Sequence, residues 1–412
     1  MTRSRLLASP DRIRRVRIEI SAGLVTALAL IPETISFSIL AGVGPAVGLF
    51  TSFVFLLAIS VTGGRPAMVS GAAGSTALVV APLVASHGVD HLIAAVLLGG
   101  LIQVLLAGAG VAKLLRFIPK SAMTGFVNAL AILIFAAQLP HLIGVPWLVY
   151  PMVAAGLLMM AVLPRLTTLV PAPVVATVVL TAITAAFAIA VPTVGDEGRF
   201  SSSLPSLGLP DVPVDGRTLL TILPYALALA LVGLLETLIT QELVDELTGT
   251  HTGKRRECGG QGVANVVVGL FGGMGGCAMI GQTMMNVKSC GARTRLSTLT
   301  GGLVLLVLVV FCEPVLTAVP MAALVAVMIV VAFTTMDWTS ISWPEVRRRP
   351  MVETATMVVT VAVAVPTHNL AYGVAGGVLT AFLLSRVPAE PVRSAVARRR
   401  TGTGERGPSP AA

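Results

Sequence analysis

Charge is scarce in this chain. Of its 412 residues, 11% are Asp, Glu, Lys or Arg, whereas a soluble globular chain carries about 25%. That deficit excludes a water-facing surface of the size this length would need, and with it the two or three soluble domains that length alone would suggest. Aromatic residues make up only 5%, and the basic residues sit in short clusters rather than along a continuous face, so the net charge of +9 does not point to a nucleic-acid partner. Cysteines are few. Cys258, Cys277, Cys290 and Cys312 form no CxxC pair and have no metal-type histidine spacing, and they read as reduced, small apolar residues. His87, His91, His141, His251 and His368 fall at segment ends or in loops. Neither HExxH nor GxSxG occurs, so no metal, cofactor or enzyme chemistry is expected.

What the chain does have is apolar length. Hydrophobic residues make up 55% of it and the mean hydropathy is +0.91. A helix needs about 20 apolar residues to cross roughly 30 Å of hydrocarbon. Fourteen stretches are marked on that basis: 20–40, 46–63, 70–86, 91–112, 119–139, 147–164, 172–192, 217–241, 257–273, 278–290, 296–316, 319–335, 351–366 and 368–386. The third and tenth are too short to cross alone. Residues 193–216, rich in Pro, Ser, Gly and Asp, divide the transmembrane domain (20–386) into halves of seven segments, 20–192 and 217–386. Residues 1–19 form a basic tail, and residues 387–412 form a second, expected to be disordered and close to anionic lipid headgroups. A signal peptide is rejected, because many apolar segments follow the first and Pro32-Glu33-Thr34 interrupts it without a cleavage site.

Charge placement supports this count. With fourteen crossings, all of the 28 Lys and Arg residues except Arg199 and Arg217 fall on one side. The positive-inside rule makes that side cytoplasmic and puts both termini there, in a multi-pass protein of the cell membrane.

Ionisable residues deep in apolar segments are costly and mark function. Glu33 and Glu236 are two such residues. Each reads either as a proton or cation site or as a protonated carboxyl bonded to a neighbouring helix. Thr240 lies one turn after Glu236 on the same face, where it either shares a ligand or bonds the carbonyl four residues back. The third segment starts extended at Arg65-Pro66, and Gly71-Ala72-Ala73-Gly74-Ser75-Thr76 then opens a helix. The tenth reads Gly272-Gly273-Met274-Gly275-Gly276-Cys277-Ala278-Met279-Ile280. A matched pair of short, Gly-interrupted segments in two halves points to a transporter's midplane site. Half-helix N-termini leave free N–H groups that hold an anion without Lys or Arg. The alternative is that these glycines only permit close helix packing.

Residues 31–43 (Ile-Pro-Glu-Thr-Ile-Ser-Phe-Ser-Ile-Leu-Ala-Gly-Val), then Gly48-Leu49-Phe50, resemble the first signature of the sulfate permease family. Residues 63–70, 125–135, Glu236-Thr237-Leu238-Ile239-Thr240 with Asp245-Glu246, and the block 272–286 extend the resemblance over residues 15 to 390. It implies an all-α membrane protein of fourteen segments in a seven-plus-seven inverted repeat, with a core domain rocking against a gate domain and segments 3 and 10 broken into half-helices. It implies an anion between those half-helices, lined by Ala73, Gly74 and Ser75 on one side and Ala278, Met279 and Ile280 on the other, with Phe37 closing the pocket. It makes Glu236 the coupling residue for a proton or sodium ion. Ile280 stands where a sodium-coupled bicarbonate carrier of this family has a hydroxyl ligand, which favours the proton. The chain is expected to be the membrane domain alone, without the cytoplasmic STAS domain typical of the family.

The expectation is therefore secondary active, elevator-type transport of a small inorganic anion of the sulfate or bicarbonate class, with H+ as co-substrate and Na+ second. The partners are the anion, the coupling ion and the lipid bilayer, and a homodimer is left open. The alternatives are a uracil or xanthine permease of the same architecture and a passive anion channel.

Overall fold

Runs of Leu, Val, Ala and Gly have no water to bond with in hydrocarbon, so their backbone closes its hydrogen bonds within the segment, as helix. The computed structural model describes residues 10–110, 119–166, 170–198, 207–213 and 215–385, and it is built of such helices. The clusters at Lys113, Arg116 and Arg199, residues 1–9 and the C-terminal tail from 386 lie outside these described residues.

The first half contains α1 (Pro10–Leu40), α2 (Pro45–Thr62), a two-residue strand β1 (Ser70–Gly71), α3 (Gly74–His87), α4 (Val89–Gly108), α5 (Lys120–Ala136), α6 (Val149–Leu166) and α7 (Ala172–Ala186). The second contains α8 (Gly216–Thr248), α9 (Lys254–Leu270), strand β2 (Cys277–Ala278) and α10 (Ile280–Met284), which continues as a π-turn over Met285–Ser289. Then come α11 (Arg295–Phe311), α12 (Glu313–Thr317), α13 (Met321–Thr335), α14 (Trp338–Ile341), α15 (Trp343–Arg348), α16 (Met351–Thr367) and α17 (Leu370–Ser385). The helical stretches Arg12–Leu40, Pro45–Thr62, Val89–Gly108, Lys120–Leu142, Val149–Leu166 and Gly216–Thr248 are long and apolar enough to cross a membrane.

Local chemistry sets the boundaries. Pro119, Pro171, Pro320 and Pro350 take the N-cap positions of α5, α7, α13 and α16, where no helical N–H is needed. Asp215 caps α8 by accepting the Thr218 N–H at 2.7 Å. That hydrogen bond holds the Asp215 carboxyl below its ordinary range.

Several boundaries differ from the sequence reading. α1 begins ten residues before residue 20, because polar Arg and Glu continue the helix beyond the apolar run. α8 likewise continues past residue 241 to Thr248. α7 stops at Ala186, short of 192, and a two-helix stretch, α14–α15, occupies part of the connection between residues 335 and 351.

The helices pack as two groups. In one, α4 lies on α8 and α9, α1 lies on α2 and α11, and α2 lies on α9 and α11. In the other, α16 lies on α5 and α17, and α13 lies on α5 and α6. Small residues allow the closest approach: a Cβ added at Gly100 on α4 would sit 2.8 Å from the Gly262 carbonyl oxygen of α9. β1 and β2 pair antiparallel, Ser70 opposite Ala278 and Gly71 opposite Cys277, and the Met279 N–H prolongs the ladder to the Val69 carbonyl at 2.9 Å. α3 and α10 start directly after these two strands.

Candidate functional site

On α1, Glu33 and Phe37 are one turn apart and share a face. The neighbouring hydroxyls turn inward along their own helix, Thr34 donating to the Leu30 carbonyl and Ser36 to the Pro32 carbonyl, both at 2.8 Å. α3 begins after Ala73, whose backbone is extended (φ −122°, ψ 151°), and α10 begins after Met279 (φ −104°, ψ 122°). A helix that starts from an extended residue leaves its first N–H groups without acceptors inside the helix. The Ser52 hydroxyl takes the Ala72 N–H just before α3, at 3.0 Å.

A cavity of about 110 Å³ lies where these elements meet. Its polar wall comprises Glu33 and Phe37 from α1, Ala73 and Gly74 at the start of α3, Glu236 from α8, and Met279, Ile280, Gly281 and Gln282 at the start of α10. The opposite wall is mainly apolar, formed by Phe126, Val127, Leu130 and Ile134 of α5 and Val331 of α13, with Thr334 and Thr335 at the end of α13. Among the described residues that line it, none is Lys, Arg or His. The two carboxylates are the ionisable side chains of the lining.

Each carboxylate has donors. The Ser75 hydroxyl and the Cys277 thiol, the latter at 3.1 Å, both donate to Glu236 Oε2, so one carboxylate joins α8, α3 and β2. Gln282 Nε2 donates to Glu33 Oε2, joining α10 to α1. The Ala278 N–H donates to Thr237 Oγ1 at 3.2 Å. Of the two readings of Thr240, the structure has the local one: its hydroxyl donates to the Glu236 carbonyl at 2.8 Å, and it is not among the lining residues. Ser75 and Ala278 also stand behind the lining, Ser75 supporting Glu236 and Ala278 held in the strand pair. Among the described residues, no cluster of three or more His, Cys, Asp or Glu is placed to hold a metal ion.

The sequence reading did not single out Gln282, Thr237, Cys277 or the apolar wall as site residues. Gln282 had a usable signal, an amide inside an apolar, Gly-rich run. The apolar wall had none, since Phe126 and Leu130 look like any core residue.

The cavity adjoins a larger vestibule of about 710 Å³. The two share Val127, Ile239, Ile280, Gly281, Thr334 and Thr335. Lys120, Glu242, Glu246 and Asp337 are the charged residues of the vestibule.

A helical membrane protein with a buried polar cavity between two interrupted segments has the plan of a solute carrier. The chain belongs to the sulfate permease family, whose family model matches residues 16–149 and 145–360; it is a membrane transport protein rather than an enzyme. It is 51% identical over 364 residues to "Putative sulfate transporter YbaR" of Bacillus subtilis, covering 88% of this chain and 76% of that protein. It is 26% identical over 360 residues to "Bicarbonate transporter BicA" of Picosynechococcus, covering 79% and 62%. Its fold matches the transmembrane domain of a cyanobacterial BicA with a TM-score of 0.78 at 24% identity, covering 87% of this chain and 97% of that one. It also matches the murine anion transporter Slc26a9 in the inward-facing state, with a TM-score of 0.78 at 18% identity, covering 93% and 70%.

Proposed function

We propose that the protein is a secondary active carrier of a small inorganic anion of the sulfate or bicarbonate class, coupled to protons through Glu236. The observation that carries this reading is the cavity shared by the starts of α3 and α10 and by two buried carboxylates, with no basic side chain in its lining. Anion capture there falls to backbone N–H groups and helix dipoles, which suit a small, compact charge. The names of the similar proteins, a putative sulfate transporter and a bicarbonate transporter, agree with that class.

Coupling follows from charge. Two like unit charges about 4 Å apart repel by about 4 kcal/mol at an effective dielectric of roughly 20. An anion in this cavity is therefore bound well only when the nearby carboxylate carries a proton. Protonated Glu236 and the anion enter together and leave together, and Glu33 is the second candidate for the same role. Sodium is the less favoured partner, because Ile280 offers no hydroxyl and the Thr240 hydroxyl is engaged along its own helix.

In this reading the fourteen segments form a seven-plus-seven inverted repeat with both termini cytoplasmic. The group holding α1–α4 and α8–α11 is the core that carries the anion, and the group holding α5–α7, α13, α16 and α17 is the gate. Transport is elevator-like alternating access. The vestibule beside the cavity is the cytoplasmic approach, as in an inward-facing carrier.

The test is uptake of labelled sulfate and bicarbonate into proteoliposomes under an acid-outside pH gradient. The native protein accumulates the anion above equilibrium, which a channel cannot do. Glu236→Gln still equilibrates it but no longer accumulates it. Accumulation by Glu236→Gln that still follows the pH gradient would falsify the coupling role.

A further inference from the structure

We infer that α14 and α15 form a docking site for anionic phospholipid headgroups of the cytoplasmic leaflet, and that lipid bound there steadies one wall of the vestibule. The two short helices lie between α13 and α16. They expose three large apolar side chains, Trp338 (50%), Ile341 (48%) and Trp343 (66%). Exposed tryptophans beside spanning helices are the residues that settle at headgroup level. The same segment ends in Arg347-Arg348-Arg349. Arg347 lies over the Trp343 ring with its guanidinium carbon 4.6 Å from the centroid, so the cation is held at the depth of the aromatic ring. Arg349 pairs with Glu345 at 3.5 Å, whereas Arg347 and Arg348 are exposed and have no acidic partner among the described residues. Unpaired guanidiniums beside exposed indoles complement a phosphate at the top of an acyl chain.

What distinguishes this patch from a plain topological charge cluster is its connection to the transport path. Asp337 lines the vestibule and caps α14, accepting the N–H groups of Thr339 at 3.1 Å and Ser340 at 3.2 Å. Asn128, buried on α5, clamps the same turn from inside: its Oδ1 accepts the Asp337 N–H at 2.8 Å and its Nδ2 donates to Ser340 Oγ at 2.9 Å. Lipid held by Arg347 and Arg348 fixes α15 against the membrane surface. Through α14 that fixes the Asp337–Asn128 corner, which joins α5 to the end of α13.

The experiment uses the full chain in liposomes of phosphatidylcholine alone and of phosphatidylcholine with phosphatidylglycerol, at equal ionic strength. Each guanidinium near an anionic surface favours binding by a factor of about five. Brominated phosphatidylglycerol should quench the tryptophan fluorescence of the native protein more than brominated phosphatidylcholine does. The triple variant R347Q/R348Q/R349Q should lose that difference. Anion uptake should be faster in phosphatidylglycerol for the native protein, by about threefold or more, and should not depend on lipid for the variant. Lys replacement at the three positions retains charge and should retain the lipid preference, which separates lost contact from misfolding. Equal quenching by the two lipids in the native protein, or an undiminished preference in the Gln variant, would overturn the assignment. So would the same rise in uptake when soluble phosphate replaces the lipid. The transport readout rests on the carrier reading, but the quenching readout does not, so failure of one is distinguishable from failure of the other.

Discussion

The two walls of the cavity are held by different forces. On the α1–α3–α8–α10 side, buried side chains bond from one element to another. Asn265 of α9 donates to Gln103 of α4 at 2.9 Å, and it both accepts the Gly276 N–H at 2.9 Å and donates to the Gly276 carbonyl at 3.0 Å. Asn286 joins the Ala67 carbonyl to Ser297, and Gln261 joins Ser70 to Glu257. Buried Arg65 pairs with Asp245 near the C-terminal end of α8 at 2.9 Å. On the α5–α13 side, the buried threonines bond back along their own helices: Thr177 to Pro173, Thr184 to Leu180, Thr356 to Val352 and Thr360 to Thr356, at 2.7–3.0 Å. Apart from Asn128, which bonds the Asp337 N–H and Ser340 just beyond the end of α13, the surfaces between those helices are largely apolar. Hydrogen bonds are directional and hold one geometry, whereas apolar contact is not. The first wall is therefore built to keep its shape, and the second to be slid against, as the proposed carrier requires.

The comparison is most exposed at Asn265. Leucine there would strand the Gly276 N–H, the Gly276 carbonyl and the Gln103 amide oxygen, all buried. An unpaired buried group costs about 1–3 kcal/mol, so Asn265→Leu should lose on the order of 3 kcal/mol or more. Thermal unfolding in detergent reads this, and an unshifted midpoint would break the contrast between the walls.

A second probe acts on the seam between the walls. A Cβ added at Gly74 would come within 2.8 Å of the Phe37 ring and 3.1 Å of Ile134. Gly74→Ala should push the ring into the cavity and remove most anion uptake, at an overpacking cost of about 1–3 kcal/mol in stability. Uptake at the native rate would mean that the cavity is not the binding site. The smallest effect belongs to the apolar wall. Thr360→Val preserves the shape that faces Gly125 and Gly377 and removes only a bond to the helix's own carbonyl. It should shift stability by less than about 1 kcal/mol, and a loss matching that of Asn265→Leu would show that both walls are polar-locked.

Much of this was legible in the sequence, for physical reasons. Apolar length marks helices, so a helix lies over each of the marked stretches. The sequence places extended backbone at Arg65-Pro66 and a helix from Gly71, whereas the chain turns there, with Ala67 left-handed (φ 62°), runs extended at Ser70–Gly71 and opens α3 only at Gly74. The glycines of 272–276 let the chain leave the helix, and α9 ends at Leu270 just before them. Helix ends were less legible where polar residues prolong a helix, as at Pro10 and Thr248, because hydropathy falls while helix propensity does not. Glu33, Phe37, Ala73, Gly74, Glu236, Met279 and Ile280 line one cavity; the two carboxylates stand out in the sequence as charges in apolar runs, whereas the other five follow only from the family resemblance. The partners of the carboxylates were not legible. Ser75, Cys277 and Gln282 reach their acceptors from 161, 41 and 249 positions away, a proximity that no local pattern encodes. The amides Gln103, Gln261, Asn265, Gln282 and Asn286 were the available hint, since each interrupts an apolar run.

The strand pair of Ser70–Gly71 with Cys277–Ala278 has a mechanical consequence. It straps together two stretches of chain that belong to opposite halves of the sequence, immediately before each releases its helix. The positive ends of α3 and α10 are thus the jaws of a caliper whose opening is set by four residues of main chain. In the proposed carrier that opening travels unchanged from one aqueous face to the other, so selection by size is the same for loading and for release.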